Sequence, residues 1–320
     1  MAVLKEGFED ITRQSETIDN FFRTKKITAE PQKIESRWRS ANIIYQIDTV
    51  EGTFILKKVN QEDFDAELDH LDNLVKIYPD FSPKVYVKDG PSVVMEFIDG
   101  EDLATVLQKP FSQAFPQIEE MGRHLRAVYS PQIGSMGEAQ ALSQIAYTYK
   151  YSQFDPQPGE RLSPVVALWE ENLNGYPAQV IHNDLNSTNT LITPEGKVRS
   201  IDPRADTKQL RDLAKDLGRL MASSICASHD SGYLPEQTRQ IADAVIKPWE
   251  DVNHGLPERT AFYVGQSCLS FSRWDMDTLA KQGFFNVGVD ILAKGPASYK
   301  TFDHVTNQTV QSLVDHSVRL

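Results

Sequence analysis

Between Val180 and Pro203 the chain reads V-I-H-N-D-L-N-S-T-N-T-L-I-T-P-E-G-K-V-R-S-I-D-P, and this stretch leaves few architectures open. An apolar pair, Val180 and Ile181, runs into a polar loop carrying His182, Asp184 and Asn189. Two apolar segments follow, Leu191-Ile192 and Val198 to Ile201, on either side of Pro194-Glu195-Gly196. Proline and glycine between aliphatic segments predict a hairpin whose turn fixes its register and returns Asp202 beside Asn189. The scaffold here must be strand, loop and strand, with polar ligands at both ends.

That spacing has a chemical logic. An acceptor hydroxyl attacking the terminal phosphate of a nucleotide needs a carboxylate to orient it and take its proton, while the phosphates need Mg²⁺ on oxygen ligands. Asp184 suits the first task; Asn189 and Asp202 suit the second as a neutral and a charged oxygen ligand. The pattern H-x-D-x-x-x-x-N, an apolar hairpin and I-D-P resembles the catalytic core of the aminoglycoside phosphotransferase and choline kinase family, small-molecule relatives of protein kinases. His182-Asn183-Asp184 stands where protein kinases carry H-R-D, and Ile201-Asp202-Pro203 where they carry D-F-G. Position 186 is Asn rather than the Lys of protein Ser/Thr kinases, a departure that favours a small acceptor. His182 is read as holding the loop by hydrogen bonds. A competing reading makes His182 and Asp184 metal ligands of a hydrolase, but no second His/Asp cluster accompanies them.

The resemblance implies an α+β, two-lobed protein-kinase-like fold. Residues 1–97 would form a nucleotide-binding lobe with leading helices and an antiparallel sheet, and residues 98–320 a largely helical catalytic and acceptor-binding lobe. Leu4, Phe8, Ile11, Ile18 and Phe22 recur at roughly helical spacing, predicting one or two helices. Ile43 to Ile47 and Phe54 to Val59 are rich in β-branched and aromatic residues about Glu51-Gly52, predicting a hairpin. Within it, F-I-L-K resembles the strand whose lysine meets the nucleotide's α- and β-phosphates, which nominates Lys57 with Ile55 on the same face. A solvated edge lysine is the plain alternative, and Lys58 falls on the opposite face.

Phe64, Leu68, Leu71, Leu74 and Val75 predict the next helix. By resemblance Glu67 reaches Lys57 from it; Glu62 is read as a first-turn charge. The loop Ser36 to Asn42 has no glycine, so it does not match the Gly-rich phosphate loop, and Arg37 or Arg39 could add charge there or be exposed turn residues. Pro83 to Tyr86 and Ser92 to Phe97 predict two more strands. The resemblance places the adenine beside Met95 with its edge against backbone groups of Glu96 to Ile98. Asp102 is expected to cap a helix beginning near Leu103.

Beyond it the pattern is mostly helical: Ile118 to Tyr129, Trp169 and Leu173, then D-T-K-Q-L-R-D-L-A-K-D-L-G-R-L as one amphipathic helix burying Leu210, Leu213, Leu217 and Leu220. Residues 131–163 read as a surface excursion. Asp212 resembles the aspartate that braces the family's catalytic loop, or is a helix-surface carboxylate. Further helical patches run through Ile241 to Trp249, Arg259 to Phe271, Trp274 to Lys281, Val287 to Leu292 and Val305 to Val318.

Composition enters where it excludes classes. Two cysteines, Cys226 and Cys268, make no disulfide framework and fit a reducing, cytoplasmic setting. No run approaches the roughly 18 apolar residues of a membrane span, and the N-terminus has no apolar signal segment. A net charge of −12 argues against nucleic acid and is compatible with a cationic acceptor. The expected chemistry is transfer of the γ-phosphoryl of ATP, with Mg²⁺, to a small-molecule hydroxyl. A catalytically silent nucleotide-binding scaffold of the same fold, or a protein kinase lacking a recognisable activation segment, are the other readings. The oligomeric state is not readable.

Overall fold

The computed structural model describes residues 2–34, 42–59, 64–129, 134–135, 169, 172–173, 177–204, 211–251, 255–272 and 278–316. It forms two compact units, one of Met1–Asp99 with Pro203–Lys208 and one of Gly100–Asp202 with Gln209–Leu320. The fold class is α+β.

The first unit opens with α1 (Ala2–Gln14) and α2 (Glu16–Lys25). Ser15 divides them because its extended backbone and side-chain oxygen cap the second helix, accepting from Ile18 N at 3.1 Å. Its hydroxyl also donates to Asp89 Oδ2 at 2.5 Å. There follow β1 (Gln32–Ile34), β2 (Ile43–Thr49), β3 (Gly52–Lys58), α3 (Phe64–Ile77), β4 (Val85–Asp89) and β5 (Ser92–Glu96). The strands form one antiparallel sheet in the order β1-β2-β3-β5-β4.

Alternation along the strands decides which side chains meet which helix. Tyr45, Ile47, Phe54, Leu56 and Val94 pack with Ile11, Ile18 and Phe22 of α1 and α2. Ile55, Val59, Val93 and Met95 point the other way, onto Leu68 and Leu71 of α3. Lys57 shares this second face and is 3% exposed, whereas Lys58 faces α1 and donates to Gln14 Oε1. The edge strand β1 escapes a pattern reading because it is three residues long and wholly exposed.

The second unit begins with β6 (Glu101–Asp102), α4 (Leu103–Val106) and α5 (Phe111–Val128). Asp102 caps α4 as expected, accepting from Thr105 N at 2.7 Å. Short strands β7 (Gly134–Ser135), β8 (Pro177–Gln179), β9 (Thr190–Ile192), β10 (Val198–Ser200) and β11 (Arg211–Asp212) make two three-stranded sheets, β10-β9-β6 and β11-β8-β7. The helical body is α6 (Leu213–Asp230), α7 (Pro235–Ile246), α8 (Leu256–Phe271), α9 (Thr278–Ala293) and α10 (Phe302–Asp315).

One expected helix is corrected. Asp212 stands outside it, in β11 and at the N-cap of α6, where its Oδ1 accepts from Ala214 N at 3.0 Å. Residues 205–210, Leu210 among them, lie outside the described residues, but Leu213, Leu217 and Leu220 are buried as the periodicity requires. Burying each contributes roughly 1.5–3 kcal/mol over leaving it in water. Trp274 lies outside the described residues, and Lys281 and Val287 to Leu292 belong to the single helix α9.

Candidate functional site

The hairpin β9–β10 forms in the expected register, with Thr190 opposite Ser200 and Ile192 opposite Val198. Gly196 turns it with φ 77°, a left-handed conformation that side chains resist. Pairing continues one step past the strands, because Ile201 N donates to Asn189 O at 2.9 Å. Asn189 and Ile201 are thereby tied together, with Asp202 next along the chain.

The loop from His182 to Asn189 is held from several sides. Asn186 is its hub: Oδ1 accepts from Thr188 N at 2.9 Å, Thr188 Oγ1 at 2.7 Å and Asn189 N at 3.1 Å, while Nδ2 donates to Asp184 O at 3.1 Å. Asn189 Nδ2 donates to Asp184 O at 3.0 Å and to Asp184 Oδ2 at 3.3 Å. The Nε2–H of His182 donates to Ile201 O at 2.9 Å, joining the loop to the residue before Asp202. His182 is fully buried. Asn183 and Asp202 both have positive φ, 68° and 54°. Such strain persists in non-glycine residues only where surroundings enforce it, and it gathers at functional loops.

The aspartate that braces this loop is Asp216. Its Oδ2 accepts from His182 N at 2.8 Å and from Tyr129 OH at 2.9 Å, and Leu185 N–H also donates to this carboxylate. Complete burial pushes its carboxyl up to about 6, the three donors acting against that rise. Asp212, nominated for this task by the D-L-A resemblance, is equally buried but engages Arg259 Nε of α8 at 2.6 Å. It is neither a surface carboxylate nor a loop brace. The signal for Asp216 was in the sequence: it falls among Leu213, Leu217 and Leu220, and a carboxylate on a leucine face requires buried donors.

Arg219 of α6 was also missed. Its Nη2 lies 2.5 Å from Asp184 Oδ1, and its guanidinium stands 5.7 Å from the ring centre of Phe271 in α8. Gly218, beside it, permits the close crossing of α6 and α8, since a Cβ there would lie 2.6 Å from Tyr263 Cβ and 2.9 Å from Thr260 O. From α5, His124 Nδ1 accepts from Val198 N at 2.7 Å and pins β10.

In the first unit Lys57 Nζ and Glu67 form an ion pair, the lysine nearly buried and the carboxylate 19% exposed. Glu96 N donates to Lys84 O at 2.8 Å, so its N–H is spent within the sheet. Ile98 is buried just beyond β5. Glu62, Arg37 and Arg39 lie outside the described residues, as does the stretch 136–163 of the surface excursion. Among the described residues no group of three or more His, Cys, Asp and Glu side chains is placed to hold a metal ion.

The sequence profile of the phosphotransferase enzyme family matches residues 32–243, well over half of the chain. The chain belongs to that family. No curated protein matches this phosphotransferase by sequence. Among solved structures it is similar to a provisionally assigned fructosamine-3-kinase of Thermobifida fusca, at 18% identity and TM-score 0.56, covering 86% of this chain and 95% of that one. It is also similar to a choline kinase of Streptococcus pneumoniae, at 14% identity and TM-score 0.53, covering 97% and 99%. An ADP-bound aminoglycoside phosphotransferase matches at 12% identity and TM-score 0.50, covering 88% and 98%. At these identities the likeness shows the fold, which is the protein-kinase-like fold of small-molecule kinases.

Proposed function

We propose that this phosphotransferase moves the γ-phosphoryl group of ATP to a hydroxyl of a small molecule. The observation that carries the reading is Asp184 on a braced loop, bonded to Asn189, whose backbone is paired through Ile201 to the segment delivering Asp202. Asp184 accepts the acceptor hydroxyl's proton as the new O–P bond forms and the β–γ bridging P–O bond breaks, releasing ADP. Asn189 turns its Nδ2 to Asp184, so its Oδ1 is the oxygen offered to a metal. With the exposed carboxylate of Asp202 it makes a hard oxygen pair fitting Mg²⁺, which when bound would offset charge on the phosphates. Lys57, held by Glu67, would neutralise the α- and β-phosphates. The Glu96 carbonyl and the Ile98 backbone would meet the adenine edge. Positioning and charge stabilisation supply the rate, since this chemistry asks little covalent participation of the protein.

A small-molecule acceptor is supported by the family, and the −12 charge leaves room for a cationic one. Among the described residues no helix is long and apolar enough to cross a membrane. Two buried free thiols support a cytoplasmic setting. The scaffold alternative draws on the glycine-free loop Ser36 to Asn42, but its natural sign would be a lost Asp184, Asn189 or Asp202, and all three are present. The test is Mg²⁺-dependent ADP release across sugars, polyols, amino alcohols and aminoglycosides. Asp184→Asn is expected to lower turnover by about 10²–10⁴-fold with MgATP binding retained, and Asp202→Ala to weaken MgATP binding. A wild-type protein that binds no nucleotide would sink the proposal.

A further inference from the structure

We infer that Arg219 sets the charge class of the acceptor: the molecule whose hydroxyl reaches Asp184 is neutral around that hydroxyl, of sugar or polyol type, rather than an amino alcohol. The inference rests on the phosphotransfer reading above and narrows it. Asp184 is not a bare carboxylate, because the Arg219 guanidinium contacts its Oδ1 at 2.5 Å. That cation is held in place: the side chain is 16% exposed, its guanidinium lies against the Phe271 ring, and it projects from the long helix that also carries Asp216. The loop position where protein Ser/Thr kinases place a lysine is Asn186, committed to loop hydrogen bonds, so the positive charge at Asp184 comes from the helix.

A hydroxyl bonded to Asp184 stands within roughly 6 Å of the guanidinium, one hydrogen bond beyond the ion pair. An ammonium one or two carbons from that hydroxyl would meet a neutral pair. It would give up its hydration without gaining a carboxylate partner, whereas a neutral sugar incurs no such loss. The protein's overall negative charge does not reverse this, because it acts over distances that physiological salt screens within about 8 Å. At contact range Arg219 decides. Removing its charge exposes the Asp184 carboxylate, and attraction to an ammonium about 5 Å away at an effective dielectric near 20 then favours cations by roughly tenfold or more.

Wild type, Arg219→Gln and Arg219→Lys would be assayed with MgATP on fructose, ribose, glycerol, choline, ethanolamine and kanamycin. Choline would be paired with its neutral isostere 3,3-dimethylbutan-1-ol. The pair is compared as substrates or, where not turned over, as competitive inhibitors of sugar phosphorylation, with thermal melts to check folding. Expected are turnover of a neutral sugar or polyol by wild type, a lower kcat in Arg219→Gln, and a choline-to-isostere preference raised at least tenfold in that variant. Arg219→Lys should keep the wild-type preference. An equal loss on charged and neutral compounds, with the ratio unmoved, would mean that Arg219 only supports structure and overturns the inference. Wild-type preference for choline or ethanolamine overturns it too, as does intact MgATP binding with no compound turned over. Failure of wild type to bind MgATP removes the phosphotransfer reading itself, and this inference with it.

Discussion

Asp216 shows how one side chain can govern a loop it does not belong to. It collects donors from His182 N, Leu185 N and Tyr129 OH while wholly buried. Burial raises its carboxyl from the usual 3.8 to about 6, and the sign of the consequence follows. Between about pH 4 and 6 the unfolded chain gives up this proton and the folded chain keeps it, so the group's favourable contribution, complete below pH 4, is lost as pH rises through about 6. A shift of this size corresponds to on the order of 2–3 kcal/mol. Asp216→Asn should flatten that part of the stability profile, as read by urea denaturation at stepped pH. Turnover should respond in the opposite sense, because the carboxylate is the better acceptor for the loop amides. Wild-type kcat is expected to fall as pH drops through about 6, and Asp216→Asn to lose that limb while running severalfold slower throughout. Unchanged profiles for both quantities would rule out the assigned role.

Elements were legible where periodicity or turn chemistry acted alone. The β9–β10 hairpin follows from Pro194 to Gly196 and the cap at Asp102 from residue type, whereas the Lys57–Glu67 pair was implied by the family resemblance and not by spacing alone. What the sequence could not show was which of two carboxylates on neighbouring turns meets the loop. Asp212 and Asp216 differ only by four residues, and the choice depends on where α6 starts and on Arg259 arriving from α8 to claim the first. Arg219 was hidden for the same reason, since its partner lies 35 positions away across a fold not yet built. The α6–α8 crossing that places it is itself testable. Gly218→Ala would drive a methyl into Tyr263 and the Thr260 carbonyl, and overpacking of this kind costs about 1–3 kcal/mol. The variant should melt lower and lose activity through Arg219 and Asp184. A melting temperature equal to wild type would show that the helices yield without cost.

At the scale of the molecule, both cysteines lie in the second unit, Cys226 on α6 and Cys268 on α8, and both are buried. Burial pushes the Cys226 thiol well up and the Cys268 thiol to about 12. Reaction with an aromatic disulfide reagent needs an accessible thiolate. Both thiols should therefore be inert in the native protein and react together when the helical body opens under denaturant. Rapid labelling of either in buffer would show a local opening instead. The composition of the first unit has a further consequence, for the order of events during synthesis. That unit takes in Pro203 and Arg204 as well as the chain up to Asp99. Its last segment is translated roughly a hundred residues after the rest, an interval of roughly 5–20 s at about 5–20 residues per second. A nascent first unit spends that time without these last residues, while the ribosome delivers the loop that carries His182, Asp184 and Asn189.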